Sequence, residues 1–107
     1  MPASLLDDKV LDRFASEVRR AYGERLERIV LFGSRARGDH KLDSDYDVAV
    51  FIKGDWDLWD EVHTLVGITS EILSETGADV SAKPLRAGSY RERTIFMHEL
   101  RKDGRDL

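Results

Sequence analysis

Apolar residues recur at helical spacing from the start of the chain, with Leu6, Val10, Leu11, Phe14, Val18 and Tyr22 on one stripe. The pattern predicts an amphipathic first helix, opened by a capping arrangement of Ser4 with Asp7 and closed near Gly23. Two short apolar runs then follow, Arg28 to Phe32 and Asp45 to Ile52, each of strand length and rich in β-branched and aromatic residues. The first is almost unbroken, so its strand should be buried on both faces. Lys53-Gly54-Asp55 reads as a turn. A second helix is expected from about Trp56 to Thr76, with Leu58, Val62, Leu65, Thr69, Ile72 and Leu73 on its packed face and Gly77 at its end. Ala78 to Lys83 reads as a third strand stopped by Pro84. Ser89-Tyr90-Arg91-Glu92 resembles a capping box, followed by a last helix through Ile95, Phe96 and Leu100 that stops at Gly104. The expected class is α+β, a small mixed three-stranded sheet with helices packed on it.

Length and composition narrow this further. The 107 residues leave room for a single domain over 1–107 and one modest core, burying roughly 60 to 70% of the surface an unfolded chain exposes. Charged residues make up 36% and the net charge is -4. A general nucleic-acid binder would carry a basic excess instead. Cysteine is absent, which excludes disulfides, thiolate zinc sites and thiol catalysis and suits a reducing cytoplasm. No targeting or membrane-spanning stretch is recognisable, so no membrane association is expected.

The chemistry concentrates between the two apolar runs. The connecting stretch, GSRARGDHKLDSD, holds two glycines, several basic residues and, with the strand it leads into, the pair Asp45 and Asp47. Side chains alternate along a strand, so these carboxylates leave one face about 7 Å apart along the chain, with Tyr46 and Val48 on the other. Like charges so placed call for a cation between them, and oxygen ligands favour a hard divalent ion such as Mg²⁺. Gly33-Ser34 directly follows the first strand, and bare backbone N–H groups at such a turn suit phosphate. Asp79 is a carboxylate within the expected third strand, on the face of Ser81 and Lys83, where Asp is depleted.

Gly33-Ser34-x-Ala36-Arg37-Gly38, followed by Ser44-Asp45-x-Asp47, resembles the signature of the polymerase-β-like nucleotidyltransferase superfamily. It is most similar to the minimal branch whose members act as antitoxins beside HEPN-type ribonuclease toxins. The resemblance implies that fold, and transfer of AMP from ATP to a hydroxyl of a helical protein partner. It further implies two Mg²⁺ ions held by Asp45, Asp47 and Asp79, with Asp79 beside the acceptor hydroxyl. Gly33 and Ser34 would hold the β- and γ-phosphates. Arg35 and Arg37 would touch phosphate, or Arg37 would fix the loop by pairing with a neighbouring Asp. No length remains for an acceptor-binding domain, which favours an acceptor presented by another protein.

Two other readings stay open: a binding module that neutralises its partner by covering it, and a nucleotidyltransferase for a small molecule bound by a partner subunit. The sequence does not fix the oligomeric state. His40, His63 and His98 are scattered without metal-ligand spacing and are expected to be structural or exposed. Trp56 and Trp59 fit partial core packing or an exposed docking patch.

Overall fold

The computed structural model describes residues 8–107. The first helix, α1 (Lys9–Tyr22), is capped by Asp8, whose Oδ1 accepts from the N–H groups of Val10 at 2.9 Å and Leu11 at 3.1 Å. Ser4, Leu6 and Asp7 lie outside the described residues. Leu11, Phe14, Ala15, Val18 and Tyr22 are buried, and Gly23 ends the helix. A 3-10 turn then leads into β1 (Leu26–Phe32), and the single helical turn α2 (Ser34–Arg37) follows it. Next come β2 (Tyr46–Ile52), α3 (Leu58–Thr76), β3 (Val80–Arg86), α4 (Ile95–Asp103) and the two-residue β4 (Arg105–Asp106).

The sheet has the order β3-β2-β1-β4, so it holds four strands rather than the expected three. β2 pairs antiparallel with β1 and parallel with β3, and β4 lies antiparallel to β1 opposite Val30 and Leu31. The added strand depends on a close approach. A Cβ on Gly104 would sit 2.6 Å from Val30 Cγ1, so only glycine lets the chain leave α4 and pair with β1.

Both faces of the sheet are covered. Ile29 and Leu31 of β1 and Val48, Val50 and Ile52 of β2 pack with α1, Leu65 and Ile72 of α3, and Val80 of β3. On the opposite face Val30, Ala49 and Phe51 pack with Met97 and Leu100 of α4. The burial of β1 on both faces follows its unbroken apolar run.

Several boundaries differ from expectation. Pro84 does not stop β3, because β3 is an outer strand and a missing N–H pointing away from the sheet breaks no ladder bond. Asp45 and Asp79 each stand one residue before their strands. Asp57 caps α3, so Trp56 lies outside that helix, donating from Nε1 to the Ile52 carbonyl at 3.0 Å. Ser89–Arg91 forms a 3-10 turn in place of a capping box, and the cap of α4 is Thr94, whose Oγ1 accepts from Met97 N–H at 3.1 Å. No described helix is long and apolar enough to cross a membrane.

Candidate active site

The two halves of the motif meet where β1 ends and β2 begins. Phe32, the last residue of β1, pairs with Asp47 on β2. Gly33 follows with φ 77°, a conformation an L side chain adopts only with strain. A Cβ at Gly33 would lie 2.6 Å from Asp47 Oδ2, so the missing side chain is what allows the loop to close on the carboxylate. The turn is tied by its own backbone: the N–H groups of Ala36 and Arg37 donate to the Gly33 carbonyl, both at 3.1 Å. Gly38 closes it, donating to the Ser34 carbonyl at 2.9 Å.

Asp47 belongs to the α4 side of the sheet, since Tyr46 and Val48 on either side point into the core under α1 and α3. Its carboxyl is raised above the ordinary carboxylate range, first by burial and then by the charge of Asp45; Lys83 and Arg37 pull it back down. Asp45 acts on Asp47 as a neighbouring charge, as their spacing implies, and Lys83, which the motif does not mark, also reaches it. The parallel register sets Ser81 beside Asp47, and strand alternation then brings Lys83 to the same face.

Asp79 stands next to this pair without closing on it. Its carbonyl accepts from Tyr46 N–H at 2.9 Å, and extending the register of Tyr46 with Val80 by one step sets Asp79 beside Asp45. Asp79 lines a cleft of about 240 Å³ together with Asp43, Ser44, Thr76 and Gly77. Among the described residues no three His, Cys, Asp or Glu side chains are gathered closely enough to hold a metal ion. The donor set nevertheless fits Mg²⁺. Two neighbouring carboxylates offer only oxygen, their mutual repulsion is relieved by a cation, and Mg²⁺ characteristically combines one or two carboxylates with waters and substrate phosphates.

The arginines divide the work between them. Arg35 donates from Nε to the Ser44 carbonyl at 2.9 Å and from Nη2 to the Leu42 carbonyl at 3.1 Å. Its guanidinium also lies 3.9 Å from the centroid of the Tyr46 ring. Arg35 thus holds the loop that delivers Asp45. Arg37 pairs with Asp39 at 3.2 Å, the loop-fixing alternative, while its charge also reaches Asp47. A second support came unforeseen: the Tyr46 hydroxyl donates to Asp8 Oδ2 at 2.8 Å, tying the α1 cap to the first residue of β2. Burial, then that bond, pushes the Tyr46 hydroxyl up to about 12. The signal for Arg35 was its place in the motif, whereas the Asp8 contact spans 38 residues and leaves no local trace.

Comparison with known proteins agrees with this geometry. The sequence profile of the nucleotidyltransferase domain family matches residues 11–95. Two Methanocaldococcus jannaschii proteins described as protein adenylyltransferases are similar. One is 28% identical over 76 residues, covering 71% of this chain and 70% of the relative. The other is 36% identical over 45 residues, covering 42% of this chain and 46% of the relative. Among solved structures, a Sulfolobus solfataricus protein described as a nucleotidyltransferase superposes with a TM-score of 0.66 at 24% identity, over 92% of this chain and 76% of its own. A toxin–antitoxin complex with AMP-PNP gives 0.58 at 21% identity, over 87% and 68%. The complex of a tri-AMPylated Shewanella oneidensis HEPN toxin with its MNT antitoxin gives 0.51 at 19%, over 91% and 70%. At these identities the structural likenesses bear on the fold.

Proposed function

The chain belongs to the nucleotidyltransferase domain family, and from that premise we propose that it moves AMP from ATP to a hydroxyl group of a partner protein. The partner we favour is a helical HEPN-type toxin, which the transfer would silence, so that this chain acts as its antitoxin in the cytoplasm. The observation that carries the proposal is the closure of Gly33 onto Asp47, with Asp45 adjacent. It joins a glycine-opened turn to a carboxylate pair in one place. The similarity to protein adenylyltransferases supports the AMP and protein assignments, and the toxin–antitoxin complexes of like fold support the partner.

In this reaction the acceptor oxygen bonds to the α-phosphorus of ATP while the bond from that phosphorus to the bridging oxygen of the β-phosphate breaks. Pyrophosphate leaves, and the hydroxyl proton passes to a carboxylate at the edge, for which Asp79 is the candidate. Asp45 and Asp47 would hold Mg²⁺, with Asp79 contributing to a second ion. Bound there, such ions neutralise phosphate charge and make the hydroxyl a better nucleophile. Gly33 and Ser34 would receive the β- and γ-phosphates. Arg37 and Lys83 supply positive charge next to the carboxylates, and Arg35 keeps the loop in register.

The test incubates the chain with Mg²⁺, a lysate of its own source and either α-labelled or γ-labelled ATP. A discrete labelled protein band is expected from the α-label alone, lost with Asp45→Ala/Asp47→Ala. A band that also forms from the γ-label, or that survives the double substitution, would overturn the mechanism.

A further inference from the structure

α3 is apolar over a wider arc than its core contact uses. Leu65 and Ile72 are buried beneath it. Roughly 100° further round the helix lie Leu58, Trp59, Val62, Val66, Thr69 and Leu73. Trp59 is 73% exposed, Val66 54%, Leu58 51% and Leu73 45%. Trp59, Val66 and Leu73 are spaced by seven, with Val62 and Thr69 between them, which is the spacing of a helix seam rather than of a strand-binding groove. The face extends over most of a helix roughly 28 Å long, and isolated exposed apolar residues would not align in this way.

Charge indicates what covers it. α3 contains no Lys or Arg, whereas Asp57 and Asp60 flank its first turn. At the other end Thr76 and Gly77 share a cleft with Arg35, Asp43 and Asp79, so the seam ends beside Asp79. A second copy of this chain laid along the seam, parallel or antiparallel, would set carboxylates against carboxylates at both ends. A foreign helix with basic ends would not.

We propose that this second apolar face of α3 docks a helix of the acceptor protein, one with an apolar heptad stripe and Lys or Arg at both ends. The inference rests on the protein-acceptor reading above and adds where that acceptor sits. Docking along α3 carries the partner's end to the cleft beside Asp79, which places an acceptor hydroxyl near that carboxylate.

The probe is a synthetic, fluorescently labelled 21-residue helix with Leu at heptad positions and Lys at both ends. Three companions are a composition-matched scramble, a version with Glu at the ends, and the Lys version without label as competitor. Fluorescence anisotropy should show saturable binding of the Lys-ended helix. Binding should fall roughly tenfold or more for the scramble, the Glu-ended helix and the variants Val66→Lys and Leu73→Lys. Asp45→Ala/Asp47→Ala should bind the helix like the unaltered chain, so the result stands apart from whether transfer occurs. The unlabelled helix should also slow labelling of the acceptor band. Equal binding of the scramble, or undiminished binding by both Lys variants with unchanged thermal midpoints, would overturn the proposal. So would a concentration-dependent dimer in sedimentation that Val66→Lys dissolves, because a second copy would then occupy the face.

Discussion

The two faces of β2 do opposite jobs. Tyr46, Val48, Val50 and Ile52 point into the larger core and are buried, the last three completely. On the other face Ala49 and Phe51 are equally closed in beneath α4, yet Asp47, two residues earlier, is a half-buried carboxylate beside another acid. One strand therefore passes from packing to chemistry within a single step of its pleat. The apolar part fixes where the acidic part stands, and the acidic part works against the stability the apolar part supplies. Asp47 faces burial and the repulsion of Asp45 together, partly offset by Lys83 and Arg37. This is the balance expected where a carboxylate is kept for function.

The separation predicts that the two faces fail differently. Asp45→Ala/Asp47→Ala should lower transfer by about a thousandfold or more, since several kcal/mol of charge stabilisation are lost, while the thermal midpoint holds or rises. Phe51→Ala should do the reverse. Phe51 is fully buried and meets Tyr90 edge to face at 5.6 Å, so its truncation should destabilise by about 3 to 5 kcal/mol in denaturant unfolding. Transfer per folded molecule should stay near the unaltered rate. A loss of transfer larger than the loss of folded protein would mean that the faces are coupled.

Gly33→Ala tests the joint between them. Its φ of 77° and the 2.6 Å from the added Cβ to Asp47 Oδ2 should destabilise by about 1 to 3 kcal/mol and displace the carboxylate, so both stability and transfer should drop. Arg35→Lys is a smaller change. It keeps the charge but cannot reproduce two hydrogen bonds and a stacked plane, so about 1 kcal/mol of stability should go, with a larger fractional effect on KM for ATP than on the fold.

Much of this was legible from residues whose meaning is local. Gly33-Ser34 and Asp45-x-Asp47 each sit beside an apolar run, and alternation along β2 puts Tyr46 and Val48 opposite Asp47 as expected. What escaped depends on contacts distant in sequence. β4 is the dipeptide Arg105-Asp106, with no apolar pattern to announce it, and it exists because Gly104 lets it reach Val30. Pro84 reads as a stop only if its strand is taken to be internal. Ser89 and Glu92 have capping-box spacing, but Ser89 Oγ donates to the Arg86 carbonyl at 2.6 Å and Thr94 takes the cap. By periodicity alone the stripe on α3 reads wholly as core. Periodicity finds an apolar arc, and only the positions of α1 and β3 decide how much of it is covered.

The smallest expected effect isolates the penalty carried by Asp47. Its folded carboxyl is raised above the value in the unfolded chain, so the folded state binds the proton more readily. Ionised Asp47 therefore disfavours folding at neutral pH. That penalty shrinks as pH falls through the raised folded value and is gone below the ordinary carboxylate range. Asp47→Asn should accordingly stabilise the chain at pH 7, and the gain should fade on acidification, read as thermal midpoints of the two proteins across pH in a chelator. Adding Mg²⁺ and ATP should narrow or reverse the neutral-pH gain, because ligand binding stabilises the folded carboxylate pair and the Asn variant loses that contribution. A gain that persists unchanged at low pH would mean that Asp47 is destabilising by shape instead of by charge, and the division of labour across β2 would then be steric.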